Sequence, residues 1–464
     1  MTAKGKLAGK HGQAEECIWR LPTKIFSAVR FLVLYALLLP PLLAAGVLVA
    51  SAGELVEAGT RTQGGLVAGS RLLTVTTLDD DGPGSLRNAV EQKQPRVIAF
   101  KIAGTIELKR PLLISHPNVT IAGQTAPSPG ITLSGEKLRI AAQDVVLQHI
   151  AVRPTWPAGV PENADAITIA SCGSCQSPPA DVLLENVSIS WGVDENLGLW
   201  GEQVARITLR NSIVSEALED AGHAKGKHSM GMLIGTEIEA VSVVGNVFIS
   251  NRNRNPVISA GASAYVANNL IHNPGRNAIE IYKGEGTRAA LIGNLVKRGP
   301  DSRRSLKWLD WQGSFSSLRI HSRDNHCCSG LALGSGDAPV APHVPLPVGD
   351  PDWTVLPASQ VLGWTIRHAG SRPAQRDPID KRLLVDVVIG SGRIIDSPEE
   401  STPLPPEPFA QQDQIPEPAV EPYPETWSLT ELSKWLCQRH LELGGMESHR
   451  CQSVENEITG DRSG

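Results

Sequence analysis

Val241-Ser-Val-Val-Gly-Asn-Val-Phe-Ile249 combines a run of β-branched residues, a Gly-Asn break and a second short apolar run. Four further segments repeat this plan: Val182-Leu-Leu-Glu-Asn-Val-Ser-Ile-Ser190, Ile207-Thr-Leu-Arg-Asn-Ser-Ile-Val214, Ala264-Tyr-Val-Ala-Asn-Asn-Leu-Ile271 and Ala290-Leu-Ile-Gly-Asn-Leu-Val296. Their asparagines fall at positions 186, 211, 246, 269 and 294, at intervals of 25, 35, 23 and 25 residues. This period, with one insertion, predicts an all-β, right-handed parallel β-helix, a solenoid whose coils each add short strands to long parallel sheets.

A β-sandwich is the alternative reading of these strands. Sandwich strands recur about every 8–12 residues with hairpin signals, whereas recurrent Asn-Gly or Asp-Gly hairpins are missing here. Aromatic residues make up only 4% of the 464 residues, beside 44 glycines and 34 prolines, which disfavours a helical bundle. We therefore expect a solenoid in which an asparagine at the same bend of every coil hydrogen-bonds its neighbours above and below.

The first 52 residues read as a leader. Residues 1–30 carry six basic side chains, residues 31–53 carry no charge, and Ala50-Ser51-Ala52 is a small-x-small cleavage pattern. The pattern predicts a signal peptide and a secreted, periplasmic or cell-surface protein; left uncut, the segment would be a membrane anchor. The net charge of −5 argues against a nucleic-acid partner, and we expect a monomer.

The remaining chain divides by composition. Residues 70–300 are predicted to form the solenoid and residues 301–400 a loop-rich continuation. Residues 401–426 contain eight prolines and five acidic residues but no basic one, which indicates a linker. In residues 427–464, Ser428 and Glu431 form a capping box that predicts a short helix. Exported cysteines form disulfides readily; Cys437 with Cys451 is one candidate pair, and Cys172 with Cys175 fits a disulfide or, less well, a metal knuckle.

Ionisable residues are densest between positions 165 and 254. Asp165 precedes one predicted strand, and Asp194 with Glu195 follows about one coil later. Stacked coils bring such residues together, and close carboxylates need a shared proton or a cation, for which hard oxygen ligands favour Ca²⁺. The alternative is two unrelated solvated turns.

Basic residues follow this acidic group in the chain. The insertion His223-Ala-Lys-Gly-Lys-His228 supplies Lys225, Lys227 and His228, and Arg252 and Arg254 come at the end of the next predicted strand. These side chains are candidates for binding the carboxylates of a polymer. Ordinary surface solvation is the alternative for each of them.

Several motifs resemble the secreted pectate lyases of the parallel β-helix superfamily, over roughly residues 72–396. The motifs are Leu78-Asp-Asp-Asp-Gly-Pro-Gly-Ser-Leu-Arg87, Val119-Thr-Ile-Ala-Gly-Gln-Thr-Ala-Pro-Ser-Pro-Gly-Ile-Thr132, Ser190-Trp-Gly-Val-Asp-Glu-Asn196, His223-x-Lys-Gly-x-His228, Asn253-Arg-Asn-Pro256 and Ala369-Gly-x-Arg-Pro-x-x-Arg-Asp-Pro-Ile-Asp380. Because they recur in the family's order, together they are more specific than any one of them.

The resemblance implies Ca²⁺-dependent β-elimination on pectate or a related uronate polymer. Asp165 matches the first calcium ligand, Asp194 with Glu195 matches the second ligand region, and Arg254 matches the base. The chain departs from the family pattern at Val257, Gly198 and Met230, where relatives often carry an arginine, an acid and a lysine. These departures bear on calcium affinity and subsite preference more than on the fold.

Two other functions fit the same residues. A β-helix glycoside hydrolase of the polygalacturonase type needs two carboxyl groups, which Asp165, Asp194 and Glu195 would supply. A non-catalytic uronate-binding surface protein would keep the scaffold without turnover.

Overall fold

A computed structural model describes most of the chain. It covers residues 56–57, 59–156, 159–161, 163–173, 175, 177–312, 318–327, 331–332, 347–348, 350, 352–401, 428–446 and 451. The predicted leader and, apart from Ser401, the predicted linker lie outside these residues, as does Cys328. Within the described ranges, no helix is both long and apolar enough to cross a bilayer.

The chain winds through three long sheets, so that each complete coil adds one strand to each sheet. The first sheet comprises Arg71–Val75, Arg96–Phe100, Val119–Ala122, Val145–Gln148, Ala180–Glu185, Ala205–Arg210, Glu239–Val244, Ser263–Ala267, Arg288–Ile292 and Arg319–Arg323. The second comprises Gly104–Leu108, Ile131–Gly135, Ile150–Val152, Ser188–Ser190, Ile213–Ser215, Val247–Ile249, Leu270–His272, Leu295–Lys297, His326–Cys327 and Leu331–Ala332. The third comprises Leu112–Ile114, Leu138–Ile140, Ile167–Ala170, Glu195–Trp200, Met230–Ile234, Val257–Ser259, Asn277–Tyr282 and Lys307–Gln312.

Apart from the last pair of the second sheet, all neighbouring strands of the three sheets are parallel, which confirms the predicted right-handed parallel β-helix. A separate two-stranded sheet pairs Val56–Glu57 with Pro347–Val348.

Stacked aliphatic side chains fill the inside of the coil. Val182, Ile207, Val241 and Ala264 are successive register partners in the first sheet, and each is fully buried. Alternate residues along a strand face opposite sides, so the β-branched alternation places one side chain per step in the core. Each Val, Leu or Ile so buried contributes about 1.5–3 kcal/mol.

The asparagine ladder differs in part from the prediction. Asn186 and Asn211 directly follow first-sheet strands and have positive φ angles of 50° and 49°. The ladder lies one residue further on, where Asn246 donates to Asn269 (2.9 Å), Asn269 to Asn294 (3.0 Å) and Asn294 to Asn325 (2.9 Å). The bend thus has a left-handed position, which suits asparagine and glycine, beside a buried position whose side-chain amides satisfy one another.

The coil extends beyond Pro300, where the sequence predicts a loop-rich region. Lys307–Gln312, Arg319–Arg323 and His326–Cys327 continue the three sheets, and buried Leu309 and Ile320 continue the core. Two helices follow, Ala358–His368 and Pro378–Ile389. They pack their buried faces on the outer side of the second sheet.

The late motif around Asp377 holds this helix pair in place. Asp377 caps the second helix by accepting from the backbone N–H groups of Ile379 and Asp380. Buried Arg153, which follows a second-sheet strand, pairs with Asp377 at 2.9 Å and Asp380 at 2.8 Å. The motif therefore joins the helices to the coil rather than contributing to the acidic group.

The tail helix, Leu429–Glu442, begins at Ser428 with the predicted capping box. Leu432 and Leu436 pack on Val97 and Ala122 at the first sheet. Disulfides join Cys437 to Cys451 and Cys172 to Cys175. Two short 3₁₀ helices, Gly123–Thr125 and Pro398–Glu400, and the helix Leu86–Val90 complete the described elements.

Candidate active site

The winding of the third sheet brings the predicted acidic residues together. Asp165 lies just before Ile167–Ala170, Glu195 begins the next strand of that sheet, and Arg254 precedes Val257–Ser259, two strands further on. Because neighbouring strands are in register, these positions fall along the same edge of the sheet. Asp165, Asp194, Glu195 and Arg254 all line one cavity of about 220 Å³.

The three carboxylates are buried and close. One oxygen from each of Asp165, Asp194 and Glu195 lies within 4.8 Å of the others. Asp165 is held by Thr168, whose hydroxyl donates to Oδ2 at 2.8 Å, and by the Glu195 N–H, which donates to Oδ1 at 3.2 Å. These bonds fix the carboxylate against the sheet.

Gly198 provides the space that the Asp165 carboxylate occupies. A Cβ atom at position 198 would lie 2.4 Å from Asp165 Oδ2. The glycine found in place of the family's acid is therefore matched to the orientation of Asp165. The acidic group is built here from Asp165, Asp194 and Glu195 without a side chain at position 198.

Burial and mutual repulsion disfavour ionisation of two of these acids. Burial raises the pKa of Asp165 to about 6, and the charge of Asp194 adds to the shift. Burial and the charge of Asp165 hold the pKa of Glu195 well above its usual range. An added positive charge would relieve both effects.

Asp194 is the exception because two imidazoles face it. Burial opposes its ionisation, but the hydrogen bond of His228 and the nearby charges of His223, His228 and Lys225 leave its pKa below the ordinary value. His228 Nε2 and His223 Nε2 lie 3.2 Å and 3.5 Å from Asp194 Oδ1. The two rings stack with their centroids 3.7 Å apart.

Two donor sets in this region are compact enough for a metal ion: the three acids, and Asp194 with His223 and His228. The His223 Nδ1 atom accepts the N–H of Lys225 at 3.1 Å, so in the neutral ring the proton lies on Nε2, which faces Asp194. This tautomer positions Asp194 rather than offering a metal ligand. The three acids are hard oxygen donors and fit Ca²⁺.

Arg254 forms an ion pair with Glu195 across the cavity. Its backbone has a positive φ of 60°, and its N–H donates to Glu280 Oε1 at 3.2 Å. Burial raises the pKa of Glu280, which is partly offset by Arg254. The guanidinium therefore projects from a constrained bend toward the acids.

The basic candidates occupy different places. Lys225 lines the cavity, and His228 contacts Asp194. Lys227 and Arg252 instead pair with Glu219, at 3.3 Å and 3.2 Å. The structure thus brings Lys225 and His228 to the acidic group and holds Lys227 and Arg252 at the neighbouring Glu219.

Met230 and Val257, the other two positions that depart from the pectate lyase pattern, lie beside the site. Met230 is the register partner of Glu195, and Val257 is the register partner of Leu233, which lines the cavity. Both positions are thus occupied by uncharged side chains at the edge of the acidic group.

Lys137 and Trp200 are among the residues at the site that the sequence does not predict. Lys137 donates to the Asn163 carbonyl at 2.6 Å; burial lowers its pKa, and the charges of Asp165 and Asp194 oppose that shift. Trp200 lines the cavity at the end of its strand. Lys137 lies in an unremarkable turn one coil earlier, and no local pattern distinguishes it.

Fold and site together define a right-handed parallel β-helix with a buried acidic group at the edge of its third sheet. No family model matches the chain. Probable pectate lyase C of Aspergillus flavus is 35% identical over 231 residues, which are 49% of this chain and 50% of the relative. Probable pectate lyase C of Emericella nidulans is 35% identical over 235 residues, 50% of each protein.

The chain spans about half the length of these curated relatives, and over that half it is similar to proteins named probable pectate lyase C. The predicted resemblance is thereby confirmed. Among solved structures, jun a 1, the major allergen from cedar pollen, is similar with a TM-score of 0.50 and 20% identity. The match covers 68% of this chain and 92% of the allergen, and it supports the fold alone.

Proposed function

We propose that the protein is a calcium-dependent polysaccharide lyase that cleaves pectate, or a related uronate polymer, by β-elimination. The observation that carries the proposal is the convergence of Asp165, Asp194, Glu195 and Arg254 on one cavity. The relatives named pectate lyase support the same assignment.

The acids would hold the cation. Asp165, Asp194 and Glu195 would bind Ca²⁺, whose positive charge would make the ring C–H beside a uronate carboxylate more acidic. Lys225, on the cavity wall, would contact a carboxylate of the polymer. His223 and His228 would keep Asp194 ionised and oriented.

Arg254 would remove the ring proton. The C–H electron pair forms a carbon–carbon double bond, the bond from the next carbon to the glycosidic oxygen breaks, and the leaving oxygen takes a proton from solvent. A guanidinium can accept a proton only in its uncharged form, which becomes more populated as the pH rises. Activity should therefore rise between about pH 6 and pH 10, and Glu195 would have to release Arg254 from their ion pair.

The test is an ultraviolet absorbance assay on polygalacturonate with and without a chelator. We expect an unsaturated product that requires calcium and forms faster at alkaline pH. No unsaturated product at any calcium concentration, or a flat pH profile, would contradict the proposal.

A glycoside hydrolase is the second candidate, favoured by the raised pKa of Asp165, about 6, beside a second carboxyl group. Such a pair suits a general acid with a base or nucleophile. New reducing ends without an absorbing double bond would identify hydrolysis. Intact polymer binding with neither product would identify a non-catalytic binding protein.

We also propose that the protein acts outside the cytoplasm. The leader pattern supports export, and the Cys172–Cys175 and Cys437–Cys451 disulfides are typical of an oxidising compartment. A cleaved N-terminus on protein recovered from the culture medium is the expected finding.

A further inference from the structure

Two aromatic side chains are conspicuously exposed. Trp200 is 41% exposed and Tyr282 46%, and among the described residues they are the aromatic members of the exposed large hydrophobic group. Trp and Tyr are enriched at binding interfaces because each side chain has an apolar body and a polar group. Only Trp200 lines the cavity, so the cavity alone does not account for Tyr282.

The register of the third sheet aligns these two residues. Leu199, Ile234, Ile258 and Ile281 are successive partners. The residues that follow them are Trp200, Gly235, Ser259 and Tyr282. The strands that carry Trp200 and Tyr282 are three positions apart in the sheet, a distance of about 14 Å between the strands. Small residues stand between the two rings, and the strand that follows Arg254 lies between their strands.

One lysine shares the cavity with Trp200, and another lies beside the Tyr282 ring. Lys225 lines the cavity together with Trp200. The Lys283 Nζ atom lies 5.4 Å from the centroid of the Tyr282 ring, and Lys283 is exposed. A uronate sugar has an apolar face of ring C–H groups and a carboxylate. A flat aromatic ring paired with an ammonium group matches both parts.

We propose that Trp200 with Lys225 and Tyr282 with Lys283 form two uronate-binding subsites on the outer face of the third sheet. A polymer lying along the coil axis contacts both, while a single sugar contacts one. Linked contacts bind far more tightly than separate ones because the second is intramolecular. The Tyr282 subsite thus rests on the proposed function and sets a preference for acidic chains long enough to reach it.

The test is affinity electrophoresis of the full chain in gels containing polygalacturonate, with a chelator present to suppress turnover. Tyr282→Ala should weaken binding roughly three- to tenfold, and Tyr282→Phe should keep most of it. Lys283→Ala should weaken binding to polygalacturonate but not to its methyl ester, which lacks the carboxylate charge. Val388→Ala is the matched control. Val388 is 59% exposed and lies on the helix Pro378–Ile389, which packs on the second sheet, away from the third.

Wild-type affinity in Tyr282→Ala, or an equal loss in Val388→Ala, would overturn the two subsites. An equal effect of Lys283→Ala on the acid and ester polymers would also overturn the assignment of Lys283. Because the gel measures binding, it is read separately from turnover. If the gel shows these binding losses but the absorbance assay with calcium shows no unsaturated product, only the proposed reaction is contradicted. If the absorbance assay shows turnover but Tyr282→Ala binds in the gel like the wild type, only the subsites are contradicted.

Discussion

Arg254, which pairs with Glu195 at the cavity, can be tested by a single substitution. Arg254→Ala should lower turnover by at least about a hundredfold, the usual contribution of a positioned base. The fold should persist because the Arg254 side chain is 31% exposed and adds little to the core. Absorbance at saturating polygalacturonate measures the loss, and circular dichroism checks the fold. Near-normal turnover would remove Arg254 from the reaction.

The close approach of Gly198 to Asp165 supports a second prediction. Gly198→Asp restores the family's acid, yet the new Cβ would collide with Asp165 Oδ2. We expect calcium affinity to fall by about 10–100-fold, as when a neighbouring group misplaces a ligand. Gly198→Ala is the control, since it introduces the same Cβ without a charge and should cause a similar loss. Calcium titration that shows tighter binding in Gly198→Asp would refute this account.

The sequence predicts that a residue belongs to the site where a local motif or strand position indicates it, and not elsewhere. Asp194, Glu195 and Arg254 stand in motifs legible in the sequence, Asp165 precedes a predicted strand, and the structure brings all four to one cavity. Lys137 comes near Asp165 and Asp194 only through coil stacking, so its neighbours in sequence give no signal. Trp200 ends the strand that Glu195 begins, and no local pattern marks that last position as part of the cavity. Lys227 and Arg252 show the converse: their basic character suggested the site, but Glu219 holds them both.

Among the elements, the tail helix depends on a buried pair of histidines. His149 Nε2 lies 2.7 Å from His440 Nδ1, and His149 Nδ1 lies 2.7 Å from the Ser371 carbonyl oxygen. Burial, with the charge of His440, holds the pKa of His149 well below its usual 6.5. Folding therefore favours neutral His149, so its stabilisation is present above pH 6.5 and is lost as the pH falls below that value.

We accordingly expect helix Leu429–Glu442 to loosen in acid. Hydrogen exchange of its amides should accelerate between pH 7 and pH 5, after correction for the intrinsic pH dependence of exchange. His149→Gln, which keeps an amide side chain but does not titrate, is the control and should flatten the response. Equal acceleration in this variant would show that another group is responsible.

Element boundaries were predictable from local signals only in part. The Ser428 capping box fixed the start of the tail helix. Asp377-Pro378 is a comparable local signal, since an N-cap aspartate followed by proline favours a helix start, whereas composition predicts only a loop-rich region over residues 301–400. The bend positions illustrate a different limit: Asn186 and Asn246 look alike in sequence but differ by one residue in register, and only strand pairing separates them.

For the whole molecule, the tail and the acidic group lie on different sheets. Deleting residues 428–464 uncovers Val97 and Ala122 at the first sheet, whereas Asp165, Asp194 and Arg254 belong to the edge of the third. We expect a lower melting temperature with turnover retained at moderate temperature. Differential scanning calorimetry with the absorbance assay measures both. Loss of all turnover in a folded truncated protein would link the tail to the site.

The solenoid places Asp165, Glu195 and Arg254 on different turns of the chain, and the strands of each turn pair only with those of the turns beside it. New sequence can therefore enter where one sheet gives way to the next, as residues 220–228 do, without shifting the strands that carry the acids. Laboratory evolution directed at such junctions should alter which polymers are accepted while the catalytic spacing, fixed by backbone pairing, stays constant.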